Sequence, residues 1–123
     1  GYEGNERREM KLRPTYEVKL YLGSVNEESK KSFTKEELIE LIATFQDGQT
    51  IPIPVCVSDT EFVSGSNYRE KGWMVSVINY PRRKHDIEML EGFMQNLASV
   101  LLSAFKQDRI TVVGPHRTVM LER

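Results

Sequence analysis

The chain has 123 residues, enough for one domain with one hydrophobic core. Its 17 Lys plus Arg and 18 Asp plus Glu leave a formal charge of -1, which argues against a dedicated DNA- or RNA-binding protein. With Cys56 as its single cysteine the chain cannot form an internal disulfide, and with only two histidines besides we expect no metal site. No stretch reaches the roughly 18 apolar residues of a membrane span, so we expect a cytoplasmic protein without a membrane partner.

The first elements are predicted to be a strand and a short helix. Residues 1–13 are polar and charged, and we predict a flexible segment there, followed by a single ligand-binding domain at 14–123. The stretch TYEVKLYLG at 15–23 alternates polar and apolar residues, which is typical of a half-buried strand. Thr34 followed by Glu37 forms a capping box, which marks the start of a helix. Asp47 and Gly48 end this helix, and its predicted buried stripe is Leu38, Ile39, Leu41, Ile42 and Phe45.

The sequence pattern in the middle of the chain predicts three strands. In TIPIPVCVSD, residues 50–59, Pro52 and Pro54 lack amide protons, so this strand is expected at a sheet edge. Cys56 falls in the same apolar stretch, and we interpret it as an inert packing residue. A short strand then leads into a hairpin at 64–67, and GWMVSVINYP, residues 72–81, is the next strand.

A long helix is predicted from Asp86 to Gln107, and a β-hairpin built from RITVV and RTVMLER follows it. One face of this helix is apolar, with Leu90, Phe93, Met94, Leu97, Leu101 and Phe105 at helical spacing. The order of elements therefore predicts an α+β domain: an antiparallel sheet with one short and one long helix packed on it, and a C-terminal β-hairpin.

The opposite face of the long helix carries small or weakly polar residues and no charges. Exposed helices usually carry several charged side chains. We therefore interpret this stripe as a contact between subunits of a homo-oligomer, with a weakly polar solvent face as the alternative. The residues of this stripe are Gly92, Asn96, Ser99 and Ser103.

Four cationic residues lead into the long helix. A helix N-terminus attracts anions and disfavours cations, and arginine forks suit phosphate oxygens. This crowding predicts a phosphate-bearing ligand, with Tyr80 offering a ring on which a base can stack. The alternative is that the basic residues pair with nearby carboxylates or are simply solvated. The cations are Arg82, Arg83, Lys84 and His85, and the carboxylates are Asp86, Glu88 and Glu91.

Three further cations follow the long helix. Arg109 comes directly after it, where it either satisfies the helix C-terminus or contacts a ligand. His116 and Arg117 lie in the final hairpin. Together with Arg82 and Arg83 they are predicted to supply phosphate contacts to a pocket between subunits. The common nucleotide-binding, metalloprotease, hydrolase and redox motifs are missing, so no catalytic residue is predicted from motifs.

The order and lengths of the elements resemble those of the phage anti-Thoeris proteins, which act as sponges for cyclic-nucleotide immune signals. The matching features are YEVKLYLGS, the short first helix, the long helix from Asp86, Arg109 after it, and the hairpin ITVVGPHRTVMLE. The resemblance implies a non-enzymatic protein without a cofactor, in the cytoplasm of an infected bacterial host. It would sequester cyclic ADP-ribose isomers, or cyclic oligonucleotides, uncleaved. It also implies a hexamer built from dimers, with Arg109 and, less strongly, Gly23 and Ser24 contacting the ligand.

A second resemblance is to small ferredoxin-like trimers, which include phage S-adenosylmethionine lyases. The segment YREKGWMVSVINYP would supply their carboxylate, Glu70. This resemblance implies an adenosyl ligand that is bound between subunits and converted rather than stored. A third interpretation is a purely structural oligomer that binds no nucleotide.

Overall fold

The computed structural model describes residues 8–83 and 85–123. It contains one five-stranded antiparallel sheet in the order β2-β3-β1-β4-β5, with two helices, which confirms the predicted fold class. The first seven residues of the expected flexible segment, and Lys84, lie outside the described residues. The elements are β1 (Glu17–Gly23), α1 (Lys35–Asp47), β2 (Cys56–Val63), β3 (Arg69–Ile78), α2 (Ile87–Ala104), β4 (Arg109–Val113) and β5 (Thr118–Glu122).

The sheet has one face covered by the helices and one open face. β1 lies at its centre, between β3 and β4, and the apolar half of its alternating sequence is fully buried under α2. The side chains of Val18, Leu20 and Leu22 are at most 1% exposed, as the alternation predicts. The odd-numbered residues of β1 point to the open face, where Tyr21 pairs with Met74 of β3 and Thr111 of β4.

Helix α1 begins and ends as predicted. The Thr34 hydroxyl accepts a 3.1 Å hydrogen bond from the Glu37 amide, which caps the first turn. Leu38 and Ile42 are buried, and Leu41 and Phe45 pack against the core. The prediction for Ile39 is wrong, because this side chain is 43% exposed. Since α1 packs against α2, only a narrow side of it is covered.

Helix α2 starts at the predicted place, and Asp86 caps it: the Asp86 carboxylate accepts a 2.8 Å hydrogen bond from the Met89 amide. It ends three residues before the predicted Gln107, because Lys106 adopts a left-handed φ of 51°. The Gln107 side chain is buried and donates a 2.8 Å hydrogen bond to the Val25 carbonyl. The predicted apolar face is confirmed, and Ala98 and Leu102 are buried as well. Among the described residues, neither helix is long and apolar enough to cross a membrane.

The middle strands differ from the prediction in number. One continuous strand, β2, replaces the two expected before the hairpin, and it starts only after Pro52 and Pro54. It does lie at the sheet edge, and the hairpin at 64–67 is confirmed by a 3.1 Å hydrogen bond from the Ser64 amide to the Tyr68 carbonyl. Cys56 is exposed rather than buried, because it is the first residue of this edge strand and points to the open face.

Candidate functional site

Antiparallel pairing gathers several chain segments at one end of the open sheet face. The last residue of β1, Gly23, pairs with Gly72 near the start of β3, and Phe62 of β2 pairs with Glu70. The start of β4 meets β1 from its other side. A cavity of about 270 Å³ lies at this end of the sheet. Its lining includes Tyr21, Gly23, Phe62, Tyr68, Glu70 and Arg109.

The carboxylate of Glu70 is held at both oxygens. The Tyr68 hydroxyl donates a 2.8 Å hydrogen bond to Oε1, and the Ser24 amide donates a 3.0 Å hydrogen bond to Oε2. Tyr68 reaches Glu70 because residues two apart on an extended chain share one face. The Ser24 amide is shared with the Lys71 carbonyl, also at 3.0 Å. Each carboxylate oxygen retains a lone pair, so Glu70 can accept further hydrogen bonds from a ligand.

Charge and aromatic rings define the chemistry of this cavity. The hydrogen bond to Glu70 raises the pKa of Tyr68, with burial adding to the effect, so Tyr68 stays a proton donor at neutral pH. The rings of Tyr21 and Phe62 form apolar parts of the lining. A fixed carboxylate beside aromatic rings favours a ligand that carries a positive charge and a flat apolar group. Arg109 lies on the other side of β1, with its Nε 3.6 Å from Oε2 of Glu122.

Three of the site residues predicted from the sequence lie at this cavity. Arg82 and Arg83, which belong to the basic lead-in (the cationic run at 82–85 before α2), do not. Gly23 and Arg109 line the cavity, and the backbone of Ser24 binds Glu70. Arg82 and Arg83 lie at the opposite end of α2, whose 18 residues span about 27 Å. Within one chain they cannot reach a ligand held at Arg109, so the predicted shared pocket requires a second copy and stays a prediction.

The surroundings of the lead-in differ from those expected. His85 is buried, and its carbonyl accepts a hydrogen bond from the Tyr16 hydroxyl, so it is not part of an exposed basic patch. Asp86 caps the helix, and Oε2 of Glu91 lies 3.6 Å from Nε of Arg117. Two of the three carboxylates that the alternative interpretation paired with the basic residues therefore have other partners. Tyr80 packs against the core, and this burial raises its pKa.

His116 and Arg117 line a second cavity of about 370 Å³, between the β4–β5 turn and α2. They therefore lie away from Glu70. Gly92 lines the same cavity, whereas the other residues of the uncharged stripe, Asn96, Ser99 and Ser103, are exposed on α2. Their predicted role as a contact between subunits stays a prediction.

Motifs and charge patterns did not single out Tyr68, Tyr21 or Phe62. The signal available for Tyr68 was its spacing of two residues from Glu70 at the start of a strand, which places both side chains on one face. Phe62 lies on the open face because of the register between β2 and β3. That register was not predicted, because the strand was expected to start before Pro52 and Pro54. Within residues 8–83 and 85–123, no group of three or more His, Cys, Asp or Glu side chains is arranged to hold a metal ion.

Comparisons with known proteins support the fold. No family model matches the chain, and no curated protein sequence matches it. A solved structure of a phage SAM lyase in complex with S-methyl-5′-thioadenosine is similar to it, at 15% identity and a TM-score of 0.71 over 96% of this chain and 97% of that chain. A phage SAM lyase in the apo state is also similar, at 15% identity and a TM-score of 0.69 over 88% of this chain and 89% of that chain.

These comparisons correct the main expectation drawn from the sequence. The chain was expected to be a non-enzymatic sponge, but both similar structures are of an enzyme, a phage SAM lyase. The resemblance to the anti-Thoeris family has no support among them, whereas the second resemblance, to phage S-adenosylmethionine lyases, does. The α+β fold of the chain is therefore similar to that of a phage SAM lyase.

Proposed function

We propose that this protein is a lyase that binds S-adenosylmethionine at Glu70 and cleaves it to release S-methyl-5′-thioadenosine. The observation that carries the proposal is the Glu70 carboxylate, held by Tyr68 and Ser24 in a cavity with aromatic lining. The similar phage SAM lyase binds S-methyl-5′-thioadenosine, which is the thioether that such a cleavage leaves behind.

The charges of the substrate fit this cavity. S-adenosylmethionine carries a sulfonium and an ammonium group, and three carboxylates line the cavity, those of Glu27, Glu70 and Asp108. Glu70 is the one that accepts a hydrogen bond from Tyr68. The rings of Tyr21 and Phe62 can contact a sulfonium methyl group or an adenine. The product S-methyl-5′-thioadenosine is uncharged, so the carboxylate attracts it less than the substrate, which favours product release.

The cleavage requires no external base. With its ammonium bound to Glu70, the substrate can turn its own carboxylate towards Cγ. A bond forms between a carboxylate oxygen and Cγ, the Cγ–S bond breaks, and the electron pair moves to sulfur. The products are homoserine lactone and S-methyl-5′-thioadenosine, and no proton is transferred. Since both oxygens of Glu70 already accept hydrogen bonds, binding suits this residue better than proton abstraction.

Incubation of the purified protein with S-adenosylmethionine, followed by mass spectrometry, tests the proposal. We expect S-methyl-5′-thioadenosine and homoserine lactone in equal amounts. Glu70→Gln should lower kcat/KM about ten- to a hundredfold, since a hydrogen bond to a charged group is lost. Glu61→Gln is the matched control, because Glu61 pairs with Lys71 and points to the opposite face of the same hairpin. A wild-type protein that returns the substrate unchanged overturns the proposal, and 2-aminobut-3-enoate as product would reassign Glu70 as a base.

A further inference from the structure

The Glu70 carboxylate occupies the space where residue 23 would carry a side chain. A Cβ built on Gly23 would lie 1.7 Å from Oε2 of Glu70 and 2.7 Å from its Cδ. Real Cβ contacts are never this short, so a methyl group and this carboxylate position exclude each other. The φ angle of Gly23 is outside the left-handed region, so the glycine is required here for space and not for its backbone conformation.

The neighbouring glycine shows why the identity of the clashing atoms matters. A Cβ on Gly72, the cross-strand partner of Gly23, would lie 2.3 Å from the Leu22 carbonyl oxygen. That oxygen belongs to the central strand and cannot move without disturbing the sheet. At Gly23, by contrast, all the nearest atoms belong to the end of the Glu70 side chain, which can rotate away. A methyl group at position 23 should therefore displace the carboxylate and leave the sheet intact.

We infer that Gly23 is a positioning residue for Glu70, because its missing side chain lets the carboxylate lie against the β1–β3 ladder within reach of the Ser24 amide. The position of the carboxylate does not depend on any activity, whereas its effect on turnover rests on the proposed function. In Gly23→Ala the carboxylate should swing out of the cavity and lose its 3.0 Å hydrogen bond from Ser24. Turnover should fall while the fold remains.

Two readouts test this inference. The amide proton of Ser24 donates to the carboxylate, so Glu70→Gln, which removes the negative charge, should change the NMR shift of this proton. In Gly23→Ala the Ser24 shift should no longer respond to Glu70→Gln, and kcat/KM should fall about tenfold, as expected for loss of one charged hydrogen bond. Gly48→Ala is the control, since its Cβ would lie an ordinary 3.5 Å from the Phe45 carbonyl oxygen and its φ is -84°.

A second substitution makes the test independent of folding defects. Glu70→Asp shortens the side chain, so its carboxylate no longer reaches the space above Gly23. Adding Gly23→Ala to Glu70→Asp should therefore change kcat/KM less than twofold, in contrast to its effect in the wild type. A Ser24 shift that still responds to Glu70→Gln in Gly23→Ala, or effects on kcat/KM that simply add, would overturn the inference. If the wild type shows no lyase activity but the response of the Ser24 shift to Glu70→Gln is lost in Gly23→Ala, the positioning role stands and the proposed function fails.

Discussion

The Tyr68 hydroxyl donates a 2.8 Å hydrogen bond to the carboxylate of Glu70, two residues further along the chain. This pair places a phenol and a carboxylate side by side at the end of the open sheet face. The phenol is 47% exposed, so it orients the carboxylate without being part of the core. We therefore expect the pair to matter for ligand binding and turnover far more than for stability.

Tyr68→Phe tests this role directly. Loss of one net hydrogen bond at an exposed position should lower kcat/KM about two- to tenfold. The free energy of unfolding should change by less than about 0.5 kcal/mol, as for most exposed substitutions. Steady-state kinetics and urea unfolding measure the two quantities. A large loss of stability with unchanged turnover would contradict the assignment.

The stability of the protein should fall at alkaline pH. Burial raises the pKa of Tyr16 and of Tyr80, and the hydrogen bond to Glu70 raises that of Tyr68, all from 10.0. The folded protein therefore holds these phenol protons more tightly than the unfolded chain does. This stabilisation is complete below pH 10.0 and is lost as the pH rises through the folded-state values. Urea unfolding across this range should show the decline, and Tyr16→Phe should make it shallower. An unfolding free energy that is constant above pH 10.0 would contradict this prediction.

Most of the fold was predictable because its signals are local. The capping residue Thr34 and the alternation around Leu20 each specify one element through neighbouring residues. The errors concern which faces are covered. Whether Ile39 or Cys56 is buried depends on what packs against α1 and β2, and the periodicity of a single element does not carry that information.

The site was less predictable because it depends on long-range pairing. Ser24 and Glu70 are 46 residues apart in sequence, and only the β1–β3 register joins them. Charge clusters did not point to this cavity, since Arg82 and Arg83 lie at the other end of α2, and their contact with a ligand stays a prediction. The separation of Arg82 from Arg109 within one chain follows from the long helix α2 between them, and the sequence did predict a long helix there.

The uncharged stripe on α2 leads to a prediction about assembly. Ser99 is exposed, and a Glu there would place like charges across a symmetric contact between two α2 helices. We expect the wild type to be an oligomer by light scattering and Ser99→Glu to have a lower mass. Thr44→Glu, at an exposed position on α1, is the control and should leave the mass unchanged. A wild-type monomer, or an unchanged mass for Ser99→Glu, would show that the stripe is a solvent face.

The last prediction concerns which arginine contacts the ligand. Arg109 lines the Glu70 cavity, and its ion pair with Glu122 joins two side chains that are 64% and 60% exposed. Its removal should therefore change the unfolding free energy by less than about 1 kcal/mol. Calorimetric titration with S-methyl-5′-thioadenosine should nevertheless show about tenfold weaker binding for Arg109→Ala.

Arg82→Ala and Arg83→Ala are the matched controls, because both side chains are exposed and lie at the other end of α2. If one chain holds the ligand alone, neither variant should change its affinity. If Arg82→Ala weakens binding of S-methyl-5′-thioadenosine as much as Arg109→Ala does, the result would instead support the pocket between subunits predicted from the sequence. The reason is that a second copy of the chain is the one way to bring that end of α2 to the ligand. Unchanged affinity in all three variants would remove Arg109 from the site and leave Glu70 to bind the ligand without it.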